Sequence, residues 1–212
     1  MKRIIKGKEP NCLLQYRQIP GATYEGYHPK DNLKKALLTE QGYICCYCMQ
    51  RISEENMEIE HWKPRCEGKY PELQIDYKNL LASCSGNRGN RIANQHCNAR
   101  KGEEEITINP ADDSKNCENY IKYKSSGKII SDEQNIDHEL NNILNLNLPT
   151  LIENRKTALD TIVNALNKKF PNKPWLKEAI SKEIDKLSSK DSEGKYSPYC
   201  QYVVFYLRKR LN

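Results

Sequence analysis

The stretch ICCYCMQRISEENMEIEHWKP, residues 44–64, decides how this chain is read. Three cysteines fall within four positions, a polar turn follows, and the segment arrives at Glu60-His61. A zinc knuckle needs two residues between its thiolates, so that the chain turns and both sulfurs meet one ion at about 2.3 Å. Cys45 and Cys48 have that spacing, which turns Cys46 away from the ion. Two more ligands are required to close a tetrahedron. Cys84, in NLLASCSGN, and Cys97, in QHCNARKG, are the candidates. His96 is a chemical alternative to Cys97, and Cys66 is a weaker rival because it sits just after EHWKP.

The rest of the composition agrees with a metal-binding chain in a reducing compartment. Nine cysteines are spread over 212 residues whose basic start, MKRIIKGKEP, lacks the apolar stretch of an export signal. A cytoplasmic location is therefore expected, where thiols bind metal or stay free. Only 37% of the residues are hydrophobic, and no apolar run approaches the ~20 residues of a membrane span. The net charge is +6, and its distribution is informative. From Lys63 to Lys101 there are eight basic residues against three acidic ones, so most of the excess lies beside the candidate site. Such a segment attracts a polyanion, although charge alone equally suits a solvated surface.

Periodicity divides the chain into three parts. Residues 1–42 read as an irregular wrapping segment followed by a helix, DNLKKALLTEQ, with Asp31 as its N-cap and Gly42 as its end. Residues 43–132 hold the chemistry. Within them EEITINP, 104–110, looks like a strand stopped by Pro110, and ENYIKYKSSGKIISD, 118–132, looks like a hairpin turning at SSG. Residues 133–212 carry apolar positions at helical spacing, with Pro149 suited to the first turn of one helix and YCQYVVFYLRKRL as the last. These apolar stripes read chiefly as core.

EHWKP, Asn79-Leu80-Leu81 before Cys84, and Cys97-Asn98-x-x-Lys101 follow the knuckle in an order that resembles the HNH family of ββα-metal nucleases. One departure is the loop SGNRGNRIANQH, which separates Cys84 from Cys97 where many such proteins have a second compact CxxC. Further segments, including LLQYRQIPGATY, EIEHWKP, YPELQIDYKNLL, HCNARKG, ITINP and LNLNLP, resemble the HNH nuclease subunits of Septu anti-phage systems and of some retrons. The resemblance implies an α+β fold: a zinc-stapled ββα-metal core with flanking helices and a mainly α-helical C-terminal lobe. It also implies an ABC-type ATPase partner and nucleic-acid cleavage, with DNA favoured.

On that reading Cys45, Cys48, Cys84 and Cys97 hold a structural zinc. His61 is the general base, since a neutral imidazole can deprotonate water near neutral pH. Glu60 and Asn98 offer hard oxygens to a catalytic Mg²⁺ or Mn²⁺. Neighbouring strand residues face opposite ways, so Glu60 joins His61 at one site only on the family's pattern. Asn79 holds loop backbone and so fixes His61. Lys63, Arg88, Arg91, Arg100 and Lys101 are the candidate phosphate contacts. A zinc-stabilised binding module or adaptor without catalysis would use the same cysteines and basic loop, but would not require Glu60, His61 and Asn98.

Overall fold

The computed structural model describes residues 1–65 and 68–211, so Cys66 lies outside the described residues. A short helix α1 (Asn11–Tyr16) precedes α2 (Asp31–Gln41), which buries Leu33, Leu37 and Leu38. Gly42 ends α2 in the left-handed region at φ +62°, as a helix terminus favours. Asp31 differs from its expected capping role: Lys30 holds the cap position, and Asp31 is already helical in the first turn. There its negative charge still opposes the positive end of the helix dipole.

The chain then turns through residues 44–51, closed by bonds from the Cys45 amide to the Gln50 carbonyl and from the Met49 amide to the Cys45 carbonyl. It enters β1 (Met57–His61), which pairs antiparallel with β2 (Leu80–Cys84) in the register Met57 to Cys84 and His61 to Leu80. All five residues of β2 are buried. Its outer edge is satisfied without a third strand. The Gln41 side chain exchanges two hydrogen bonds with the Ala82 backbone, at 2.7 and 2.8 Å, and the Cys46 amide donates to the Ala82 carbonyl. An edge that would otherwise invite pairing is thereby closed by α2 and the cysteine turn.

Helix α3 (Cys97–Lys101) packs against β2 after the long loop. The loop folds back at Gly86, whose carbonyl accepts from the His96 amide. Gly86 has φ +59°, and a Cβ there would stand 2.0 Å from the His96 carbonyl oxygen. Only glycine accommodates both conditions.

EEITINP is not a strand. Its backbone donors are used elsewhere: the buried Glu139 carboxylate accepts from the amides of Thr107 and Ile108 and from the Thr107 hydroxyl, at 2.7–2.9 Å. A carboxylate has thus replaced the partner strand. The hairpin does form, as β3 (Lys122–Tyr123) against β4 (Ile129–Ile130). Beyond it lie α4 (Gln134–His138), a π-helical turn at Glu139–Ile143, and α5 (Pro149–Lys169) with Pro149 in its first turn. Helices α6 (Lys177–Ser188) and α7 (Cys200–Arg208) pack on each other, and α7 also packs on α5. One buried apolar cluster draws on every part of the chain, from Leu13 through Leu81 to Leu207. Among the described residues, no helix is long and apolar enough to cross a membrane.

Replacing Gly86 by alanine is expected to lower the thermal midpoint more than replacing Gly89. Gly89 also has positive φ, but a Cβ there meets nothing within 4 Å. Gly89→Ala should cost about 1 kcal/mol from backbone strain alone, and Gly86→Ala at least about 2. Equal shifts in paired thermal melts would show that the close approach to His96 does not constrain the loop.

Candidate metal cluster and active-site cleft

The turn at 44–51, the end of β2 and the start of α3 bring Cys45, Cys48, Cys84 and Cys97 together, all buried, with every sulfur within 4.8 Å of the others. The Cys45–Cys97 and Cys48–Cys84 sulfurs are each 3.9 Å apart. That is too far for a disulfide. It is close to the ~3.8 Å edge of a tetrahedron whose centre lies about 2.3 Å from each sulfur. Four thiols at this spacing suit a soft, tetrahedral ion, so the cluster could hold zinc. His96 stands beside it, with Nδ1 3.1 Å from the Cys97 sulfur and 3.9 Å from that of Cys84. Cys97, rather than His96, completes the convergent set. Cys97 itself is held at φ +52°, with its amide donating to the Leu144 carbonyl.

Where β1 ends, a cleft of about 350 Å³ is lined by Glu58, Glu60, His61, Arg65, Arg88 and Asn98, among others. His61 is buried, and its Nε2 lies 2.9 Å from the Gln74 carbonyl oxygen. A carbonyl only accepts, so Nε2 carries the hydrogen and Nδ1 keeps the lone pair when the ring is neutral. Burial drives the His61 pKa down to about 4. The Tyr24 ring meets the imidazole edge-on at 4.6 Å. Asn79 grips the chain just after His61. Its side chain accepts from the Lys63 amide at 2.7 Å and donates to the carbonyls of Lys63 and Leu73 at 2.9 and 3.1 Å.

Glu60 and Asn98 line the same cleft but do not share a hydrogen bond. Glu60 Oε1 accepts from the Tyr47 hydroxyl at 2.8 Å and faces the Lys101 ammonium at 3.1 Å. Burial pushes the Glu60 carboxyl above its ordinary value, while Lys101 and Tyr47 pull against that shift. Asn98 Nδ2 instead donates to Glu58 Oε2 at 2.6 Å. Glu58 is also clasped by Arg88, with Nε 2.7 Å from Oε1 and the terminal nitrogen 2.6 Å from Oε2.

The basic residues separate by position. Arg88 is in the cleft, and Arg91 is exposed on the 85–95 loop. Arg100 reaches the carbonyls of Asn142 and Ile92, both at 3.3 Å. Lys63 pairs with Glu105 at 2.9 Å and lies over the Trp62 ring. Lys101 differs from the expectation of a phosphate contact. Its side chain is 1% exposed, and its ammonium is used by Glu60 and the His61 carbonyl.

Sequence reasoning also missed Glu58, Arg65, Tyr24 and the Gln74 carbonyl. Glu58 was discoverable, since it is two residues before Glu60 on one strand and alternate strand residues share a face. Gln74 contributes a backbone oxygen, which no side-chain pattern can announce.

The His61 pKa has a consequence for stability. In the unfolded chain the imidazole titrates near ~6.5, and in the folded chain near 4. The unfolded state therefore binds a proton first, and stability is lost as pH falls from ~6.5 towards 4, by on the order of 3 kcal/mol. Urea unfolding of wild type and His61→Gln at pH 7.5 and 4.5 checks this. Wild type should lose more stability on acidification than the variant, and parallel losses would contradict the assignment.

No family model matches the chain. It is 33% identical over 147 residues to Septu protein PtuB of Bacillus thuringiensis, a match covering 65% of this chain and 51% of that protein. It is 30% identical over 132 residues to the candidate HNH endonuclease of retron Ec83 of Escherichia coli, covering 53% and 51%. The corresponding protein of retron Vc95 from Vibrio cholerae serotype O1 biovar El Tor is 28% identical over 145 residues, covering 65% and 68%. The chain spans about half the length of the first two of these curated relatives.

Proposed function

Since the chain is a relative of Septu PtuB and of retron-associated HNH proteins, we propose that it is a metal-dependent HNH endonuclease. It hydrolyses phosphodiester bonds in nucleic acid, DNA before RNA, as the effector of a cytoplasmic anti-phage complex with an ABC-type ATPase. The observation that carries this reading is the buried His61 imidazole, held through Nε2 by the Gln74 carbonyl, in a cleft shared by carboxylates, an amide and guanidinium groups.

His61 Nδ1 takes the proton of the attacking water. The Gln74 carbonyl fixes the tautomer and steadies the ring as it becomes cationic. A pKa near 4 describes the cleft without substrate. A phosphate brought beside the ring favours its charged form and raises its basicity. Arg65, on the cleft wall, offers its guanidinium to phosphate oxygens, while Arg88, clasped on Glu58, adds positive charge beside them. Asn79 keeps the chain after His61 in place through three backbone hydrogen bonds. The Tyr47 and Lys101 contacts both use Glu60 Oε1. Oε2 is then the oxygen that Glu60 offers, together with Asn98, to a divalent cation. Such an oxygen set fits Mg²⁺ or Mn²⁺, which when bound would offset charge on the phosphate and on the leaving oxygen. The four cysteines hold a structural zinc apart from this chemistry.

Plasmid nicking with Mg²⁺ or Mn²⁺, with the ATPase present and absent, tests the reading. His61→Ala should slow cleavage by at least about 100-fold at unchanged fold. Cleavage that persists unchanged in His61→Ala would remove His61 as the base. No cleavage by wild type, with nucleic acid bound, would favour the binding-module alternative.

Elemental analysis should find one zinc per chain. Cys97→Ser should lose most of it and melt lower, whereas His96→Ala should keep it. Full zinc in Cys97→Ser would overturn the ligand set.

A further inference from the structure

The carboxylate nearest Asn98 belongs to Glu58, which has no part in the reaction described above. We propose that Glu58 is a positioning residue that fixes the Asn98 amide so that its oxygen, and not its NH₂ group, is offered to the catalytic cation. The inference rests on the proposed divalent-cation site.

An asparagine amide has two ends of nearly equal size and opposite chemistry. One accepts hydrogen bonds and ligates cations; the other carries two hydrogens and repels them. Nothing in the shape of the side chain selects between them, so a neighbouring group must. Glu58 is such a group. A carboxylate only accepts, and its Oε2 lies 2.6 Å from Asn98 Nδ2. Turning the amide over would set oxygen against oxygen at that distance.

Glu58 cannot readily adapt, because Arg88 holds both of its oxygens, at 2.7 and 2.6 Å. With Oε1 on Arg88 and Oε2 shared between Arg88 and Asn98, three of the carboxylate's roughly four lone-pair sites are taken and both oxygens are held in place. It acts through Asn98 rather than as a ligand of its own. The two glutamates of β1 thus divide the work by position. Glu60 contributes an oxygen, and Glu58 sets the orientation of the residue opposite it. Groups that orient a ligand in this way typically change metal affinity by 10–100-fold when removed.

The test is Mn²⁺ binding to the zinc-loaded full chain, followed by electron paramagnetic resonance or calorimetry, so that no turnover is needed. Five proteins are compared: wild type, Glu58→Ala, Glu58→Gln, Asn98→Asp and the double variant Glu58→Ala with Asn98→Asp. Glu58→Ala should weaken Mn²⁺ binding by about 10-fold or more, with zinc content unchanged. In the Asn98→Asp background both ends of residue 98 are oxygens, so orientation no longer matters. Removing Glu58 there should not weaken binding. Glu58→Gln keeps an acceptor oxygen and should fall between wild type and Glu58→Ala.

Unchanged affinity in Glu58→Ala overturns the proposal. So does equal weakening in both backgrounds, which would make Glu58 a ligand or a source of bulk field. If wild type binds no Mn²⁺ in the cleft, the catalytic-cation reading fails and this inference with it.

Discussion

Four buried sulfurs from three separate segments of chain, all within 4.8 Å of one another, are the constraint on which the remaining structure depends. Thiolates packed this closely repel one another unless a cation lies between them, and burial worsens the repulsion. A soft dication would resolve it, and ligand binding of that kind is itself folding free energy. The chain accepts unfavourable backbone geometry to reach the arrangement. Cys97 is a non-glycine residue at φ +52°, a conformation that costs on the order of 1–3 kcal/mol. Gly86 sits against the His96 carbonyl where no side chain fits. Both distortions lie on the segment that must return from β2 to the cluster.

That return is supported from far along the sequence. The amide of Cys97 is bonded to the Leu144 carbonyl at the end of the π-helical turn. Glu139, in the same turn, satisfies the extended backbone at Thr107 and Ile108. Arg155, buried in α5, donates to the carbonyls of Gly127 and Leu146. The hairpin, the π turn and α5 are thereby fixed to one another by backbone acceptors around single side chains. The C-terminal helices therefore help to hold Cys97 in place, in addition to burying their own apolar faces.

Legibility from the sequence follows from how local each signal is. The CxxC spacing, Gly42 ending α2, Pro149 starting α5 and the SSG hairpin all depend on residues within a few positions, and the structure has them. The failures are non-local. Thr107 and Ile108 have strand-like side chains, but a carboxylate more than thirty residues away takes their amides. Lys101 has the composition of a solvated helix end, yet it is enclosed because Glu60 needs a counter-charge. Glu58 lies outside the Glu60-His61 motif, and its only sequence signal is the period of two that sets it on the same strand face as Glu60.

Helix α3 links the two halves of the site. It is five residues long, far too short to persist alone, since helix nucleation is unfavourable and isolated helices need at least ~12 residues. Its first residue supplies a sulfur to the cluster. Its last supplies an ammonium that bridges the Glu60 carboxylate and the His61 carbonyl, each at 3.1 Å. With a rise of about 1.5 Å per residue, roughly 6 Å separates these two anchors. Glu60 is 2% exposed, so removing Lys101 would leave an uncompensated buried charge, an arrangement worth about 3–5 kcal/mol against the fold. The anchors are thus mutually dependent. The sulfur cluster starts the helix, the helix presents Lys101, and Lys101 neutralises Glu60 while holding the end of β1. Asn98, one residue into the same helix, is placed by the same two attachments. A change at the cysteine cluster must therefore be felt at Glu60, His61 and Asn98 together.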